Sequence, residues 1–139
     1  MEPIKLHYHV DGDNFSHAGE ASAAVKKTLR KLGIAPATIR RVAIALYEGE
    51  INMVIHANGG TISVEVHENC IEMALRDEGK GIADISLAMK EGYSTASDEV
   101  QALGFGAGMG LPNMKKNTDH FAITSTVNVG TTVFMTVLI

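Results

Sequence analysis

The sequence predicts an α+β fold: a two-layer α/β sandwich whose mixed, mostly antiparallel sheet carries helices on one face. Three observations predict it. Strand-like segments come in pairs joined by short polar turns. Two helical segments follow one another early in the chain with no strand between them. The resulting order, β-α-α-β-β-(α)-loop-α-β-β, groups its helices between runs of strands instead of alternating them, which argues against a doubly wound parallel sheet.

Taken in order, IKLHYHV (4–10) alternates apolar and polar residues and reads as a first strand, with DGDN as the turn after it. Residues from about Ser16 to Leu32 favour helix, and Gly33 suits a C-terminal cap. Pro36 opens a second helix, where its missing N–H costs nothing, and that helix runs to about Ala57 before NGG. TISVEVHE (61–68) and CIEMALRD (70–77) form a strand pair about a short Glu68-Asn69 turn. EGKGIAD breaks the pattern, 82–90 suits a short helix, and 91–103 reads as irregular. A short helix is expected from about Leu111 to Asn117. FAITSTV and TTVFMTVLI close the chain as a hairpin about Asn128-Val129-Gly130.

The 139 residues suit one domain, 1–139, with a core of its own. Apolar residues at 45% and charged residues at 20% are the balance of a soluble globular protein, and the net charge of −4 argues against a general nucleic-acid binder. The single cysteine, Cys70, excludes an internal disulfide and a cysteine zinc cluster, and reads as a small buried hydrophobe more readily than as a reactive thiol. No apolar run reaches transmembrane length and the N-terminus lacks a signal-peptide core, so a cytoplasmic location and no membrane partner are expected.

Three stretches carry candidate chemistry. On the second helix, at 100° per residue, Glu48, Asn52 and His56 share an arc of about 80°, with Arg41 on the same arc two turns earlier and apolar flanks on either side. The ordinary reading is a solvent-facing stripe. Against it, Glu50 and Arg40 point elsewhere and are expected to supply the wet face. The functional reading makes Glu48 a base or water-orienting group and Asn52 a neutral oxygen ligand for Mg²⁺. His56 is either a third member of that site or a helix-end residue with a structural hydrogen bond. The second stretch is Asp77-Glu78-Gly79-Lys80-Gly81. It is either a plain strand-ending turn or a carboxylate placed to accept from an exocyclic amine such as that of adenine, with glycines leaving room for a flat ring. The third is GFGAGMGLPNMKK (104–116), with a glycine at every second position until a helix start. It is either a flexible surface loop or a backbone that wraps a polyphosphate at a helix N-terminus, aided by Lys115 or Lys116.

Together these motifs resemble the GHKL ATPases: Glu48 to Asn52 on a helix, Asp77-Glu78-Gly79-Lys80-Gly81 after a strand, Gly106-Ala107-Gly108-Met109-Gly110-Leu111 before a helix, and Gly130-Thr131 between strands. The resemblance covers nearly the whole chain from Ile4. Within the family it is nearest the small anti-sigma regulatory serine/threonine kinases of the SpoIIAB, RsbW and RsbT kind. AMKEGYSTA before the glycines is similar to the RsbT subgroup.

The resemblance implies the Bergerat ATP-binding fold, with ATP and Mg²⁺ as cofactors. It makes Glu48 the base for the acceptor hydroxyl and Asn52 the Mg²⁺ ligand. Asp77 binds the adenine amine, supported by Thr131, while Gly79 and Gly81 shape the adenine pocket. Gly106, Ala107, Gly108, Met109, Gly110 and Leu111 line the phosphates, and 91–105 form the ATP lid. The implied partner is a sigma factor, an anti-sigma antagonist or a signalling scaffold, and the alternating first strand suits a sheet edge able to pair in a homodimer. One departure stands out. SpoIIAB-like members carry an arginine just before the glycines, whereas this chain has Gln101-Ala102-Leu103, and Lys90 is the only basic residue between the two glycine boxes. Three functions follow: a protein kinase, an ATP-gated partner-binding switch without phosphotransfer, and the ATP-binding half of a two-component pair.

Overall fold

The computed structural model describes residues 2–12, 17–57, 59–90 and 110–139. The elements are β1 (Ile4–Asp11), α1 (Glu20–Lys31), α2 (Pro36–His56), β2 (Gly59–Val66), β3 (Cys70–Asp77), α3 (Ile85–Ala88), α4 (Gly110–Lys116), β4 (His120–Thr126) and β5 (Gly130–Leu138). The strands form one sheet in the order β1-β2-β3-β5-β4, and every described pairing is antiparallel. The expected α+β sandwich is therefore present, with a sheet that is antiparallel throughout the described residues. β1 lies at one edge and β4 at the other.

Alternation decides which face of the sheet is covered. Ile62, Val64, Ile71, Met73, Leu75, Val133, Met135 and Val137 point to one face and are buried there. Val25 and Leu29 of α1, Val42, Leu46 and Met53 of α2, and Met114 of α4 close over them in a shared core. The other face carries Lys5, Glu65, Glu72, Arg76 and Phe134, with the Arg76 guanidinium 5.4 Å from the Phe134 ring centroid. Fully buried Leu46 anchors α2, and its truncation to alanine would cost about 2–5 kcal/mol.

Local chemistry sets the boundaries. Pro36 occupies the first turn of α2, where no N–H is needed. α1 ends at Gly33, whose φ of +77° belongs to the left-handed region, and Ile34 N–H then donates to the Leu29 carbonyl at 3.2 Å. The expected start of α1 near Ser16 gives way to Glu20. Asp84 caps α3 by accepting from Leu87 N–H at 3.0 Å.

One glycine in mid-helix fixes how α2 meets the sheet. A Cβ at Gly49 would lie 2.2 Å from Leu75 Cδ2 and 3.4 Å from Met114 Sδ. The missing side chain is the notch that lets α2 sit directly on β3 and beside α4. It therefore sets the distance between the residues that follow on α2 and the end of β3.

Two expectations fail. Glu50 does not supply a wet face: it is buried, and its carboxylate accepts Gly19 N–H at 2.9 Å, Ala21 N–H at 3.1 Å and Ser22 N–H at 3.0 Å. It thereby satisfies the otherwise unpaired N–H groups at the start of α1, to which the helix dipole also attracts a negative charge. Arg40 is exposed, as expected. Cys70 is not buried but half-exposed at the start of β3. Partial burial and then the nearby Glu72 charge raise its thiol pKa, which keeps it protonated and unreactive.

Candidate functional site

The second half of α2 and the start of α4 form the first side of the site. Glu48 and Asn52 are half-buried on the face of α2 that meets α4. Asn113 Nδ2 donates to Glu48 Oε1 at 3.5 Å, a long contact. One turn further on, a Cβ at Gly110 would stand 3.0 Å from both Oδ1 and Nδ2 of Asn52. The last glycine of the alternating stretch thus lies directly on the asparagine amide. Among the described residues nothing hydrogen-bonds that amide, so its carbonyl oxygen is available to a hard cation. Arg41 shares the arc but not the site, since its guanidinium pairs with Asp119 Oδ1 at 3.2 Å.

The end of β3 forms the second side. Asp77 Oδ1 accepts Gly79 N–H at 3.0 Å and Thr131 N–H at 3.2 Å. Among the described residues no donor reaches Oδ2, which leaves one carboxylate oxygen for a ligand amine. A Cβ at Gly79 would lie 2.6 Å from the Ala57 Cα and 3.2 Å from Asp77 Oδ1. The loop after β3 therefore packs against the end of α2, and glycine keeps the space beside Asp77 open. Gly81, with φ of +75°, packs on the Thr126 carbonyl. Ile82 N–H donates to Ser125 Oγ at 2.7 Å, and Asn128 N–H to the Lys80 carbonyl at 2.8 Å. The Asp77 loop is in this way sewn to the β4–β5 hairpin.

Thr131 belongs to the same network. Its hydroxyl lies 2.7 Å from Ser125 Oγ, which is also 3.2 Å from the Gly130 carbonyl. A hydroxyl has one proton to give. If Ser125 donates to Gly130, Thr131 donates to Ser125, and the Thr131 oxygen keeps lone pairs for a ligand or water. His56 sits at the end of α2. Burial first, and the Lys80 charge second, lower its pKa and hold it neutral.

The fold thus brings Glu48 and Asn52 onto Asn113 and Gly110, and Asp77 onto Gly79 and Thr131, with Ala57 linking the end of α2 to the Asp77 loop. Leu111 packs against the core while its backbone remains in the first turn of α4. Lys90 is exposed beyond α3. A cleft of about 450 Å³ has Met89, Pro112, Lys115 and Lys116 as its described walls, and none of Glu48, Asn52 or Asp77 lines it. Gly106, Ala107, Gly108, Met109, the expected lid 91–105 and the segment Gln101-Ala102-Leu103 lie outside the described residues.

Sequence reasoning missed three contributors. Asn113 shows no signal beyond its place one turn after the glycines. Ser125 is a small hydroxyl among several in its strand. Gly49 carries a readable signal, a glycine in the middle of an otherwise strong helix.

Comparison with known proteins adds the family. Residues 13–137 match the histidine kinase-like ATPase domain. The chain is 28% identical over 110 residues to the serine/threonine-protein kinase RsbT of Bacillus subtilis, spanning 76% of this chain and 77% of that protein. It is 34% identical over 103 residues to an anti-sigma F factor of Caldanaerobacter subterraneus, spanning 70% of this chain and 68% of that one. Among solved structures, the RsbU and RsbW domains of a Mycobacterium tuberculosis protein superpose with a TM-score of 0.67 at 17% identity, over 97% of this chain and 32% of that one. The Pseudomonas aeruginosa SiaB-SiaC complex gives a TM-score of 0.62 at 14% identity, over 99% of this chain and 90% of that one. Both structural likenesses speak for the fold.

Proposed function

This chain belongs to the histidine kinase-like ATPase family, and from that premise we propose that it is an ATP-dependent serine/threonine protein kinase of the anti-sigma factor type. Its client in this reading is a small antagonist or scaffold protein. The observation that carries the proposal is the juxtaposition on α2. Glu48 and Asn52 both face the start of α4, and the Asp77 loop packs against Ala57 at the end of the same helix. In this reading one helix supplies a carboxylate, an oxygen ligand and the wall of an adenine pocket.

Asp77 accepts the adenine amine through Oδ2, while Gly79 and Thr131 hold Oδ1 in place. The Thr131 hydroxyl supports the ring directly or through water. The backbone of 106–111 wraps the phosphates at the start of α4. Asn52 would hold Mg²⁺ through its side-chain oxygen, and the ion would supply charge neutralisation during transfer. Glu48 takes the proton from the client's serine or threonine hydroxyl as that oxygen bonds to the γ-phosphorus. The bond to the β–γ bridging oxygen breaks, and ADP leaves. Asn113 donates to Glu48 and orients its carboxylate.

A second reading, an ATP-gated switch that holds or releases a partner without transfer, is favoured by Gln101-Ala102-Leu103 standing where SpoIIAB-like relatives have an arginine. Incubation with γ-labelled ATP and the captured protein partner separates the two. The kinase reading expects label on a client serine or threonine, and its loss in Glu48→Ala. A partner held by ATP, equally in wild type and Glu48→Ala and without label, establishes the switch instead. Dimerisation through the β1 edge belongs to the same proposal and is read from sedimentation. No described helix is long and apolar enough to cross a membrane.

A further inference from the structure

We propose that Glu65, His67 and Glu72 form a binding site for a transition-metal dication of the Zn²⁺ class on the helix-free face of the sheet. Glu65 on β2 stands directly opposite Glu72 on β3. Like charges placed so are destabilising unless something lies between them. His67 follows Glu65 by two positions and therefore projects from the same face. One donor atom from each of the three residues falls within 4.8 Å of the other two.

The imidazole supplies the independent observation. His67 Nε2 is shielded from solvent and has no hydrogen-bond partner among the described residues. Glu72 Oε1 is 3.7 Å from it, beyond hydrogen-bond reach. A buried imidazole nitrogen without a partner is costly. Two ligands on a tetrahedral Zn²⁺ stand about 3.4 Å apart, given metal–ligand distances of roughly 2.0–2.2 Å. The His67–Glu72 pair is already close to that spacing, and the wider pairs close by side-chain rotation. Glu65 and His67 are half-buried and Glu72 is exposed, so water reaches the remaining coordination position from one side.

A nitrogen and two carboxylate oxygens suit Zn²⁺ and its neighbours in the Irving–Williams series, and suit Mg²⁺ poorly. On the flanking strands, Lys5 lies opposite Glu65 and Thr136 opposite Glu72. The Lys5 ammonium is the competing cation for the Glu65 carboxylate. Glu72 precedes Asp77 on β3 by five residues, about 17 Å along an extended strand, so the site is separate from the nucleotide end of the sheet. A bound ion would clip β2 to β3 beside their turn.

The test is an equilibrium titration of the full chain with Zn²⁺ in excess Mg²⁺, which keeps Asn52 out of the readout. The expected result is one Zn²⁺ per chain, with affinity at least about tenfold weaker in both His67→Ala and the isosteric, exposed Glu72→Gln. His7→Ala and His9→Ala on the neighbouring strand should bind as wild type does. Co²⁺ should give the visible absorption of a tetrahedral site in wild type and not in His67→Ala. Wild type without stoichiometric Zn²⁺ binding, or His67→Ala and Glu72→Gln with undiminished affinity, overturns the proposal.

Discussion

Helix α2 carries two glutamates two residues apart, and its two sides use them in opposite ways. Glu50 faces the start of α1, is buried, and accepts three backbone N–H groups at 2.9–3.1 Å. Glu48 faces α4, is half-buried, and among the described residues has one hydrogen-bond contact, at 3.5 Å. A carboxylate whose lone pairs are filled by the fold contributes stability and has nothing left for a substrate. A carboxylate held loosely, beside an asparagine amide with no described partner, is available for chemistry. The Asp77 corner stands between these extremes: one oxygen is held by two N–H groups and the other has no donor among the described residues.

The largest expected effect falls on the loosely bonded side. Glu48→Ala should slow phosphotransfer by about 10²–10⁴-fold. Its ATP affinity should stay within about threefold of wild type, and its stability within about 0.5 kcal/mol. Labelled-phosphate transfer and urea unfolding measure the two quantities on the same sample. A Glu48→Ala protein that is badly destabilised would erase the contrast between the glutamates.

Glu50→Ala should show the reverse. Leaving three N–H groups at the α1 start without their acceptor should lower unfolding free energy by about 3 kcal/mol. Below its lowered urea midpoint it should bind ATP as wild type does. Gly110→Ala probes the Asn52 contact more gently. The added methyl must displace the asparagine amide by a few tenths of an ångström, since it would start 3.0 Å away. Affinity for ATP with Mg²⁺ should fall about tenfold, roughly 1.4 kcal/mol, with little change when Mg²⁺ is absent.

The smallest effect concerns pH. The Leu138 N–H hydrogen bond first, and Arg41 second, hold the Asp119 carboxyl below its ordinary value. Between the ordinary and the lowered value, the unfolded chain takes up a proton that the folded chain refuses. The stabilisation is therefore present above the ordinary carboxylate range and is lost as pH falls through the folded value. Burial-lowered His56 acts in the same direction in a higher window, with stability falling as pH drops below the ordinary histidine range. Urea midpoints of Asp119→Asn and wild type should differ at neutral pH and converge in acid.

The elements were legible in the sequence because each has a period or a cap that belongs to it alone. β2 and β3 alternate, Pro36 opens α2, and Gly33 closes α1. Glu48, Asn52 and His56 were legible as neighbours on one arc for the same reason. Glu50 was not. Helical phase gives the direction of a side chain but not what arrives there, and its partners come from Gly19, Ala21 and Ser22, about 30 positions away. Arg41 was legible on the arc, but its partner was not, because Asp119 comes from the far end of the chain. The place of Cys70 at the junction of two strand-like runs suggests burial, but it alternates with buried Ile71 and so faces the helix-free side of the sheet. Asp77 was legible as a strand-ending carboxylate. Its division into one held and one open oxygen depends on Thr131, a contact made only when β3 pairs with β5.

Calorimetric titration with ATP, with and without Mg²⁺, on wild type, Asp77→Asn and Asn52→Ala tests the convergence of α2, the β3 end and the α4 start most directly. The expected result is about a hundredfold loss of affinity in Asp77→Asn under both conditions, equivalent to roughly 2.7 kcal/mol for a charged acceptor. In Asn52→Ala only the gain due to Mg²⁺ should disappear. Undiminished ATP binding by Asp77→Asn, or a Mg²⁺ gain that survives in Asn52→Ala, would contradict the account.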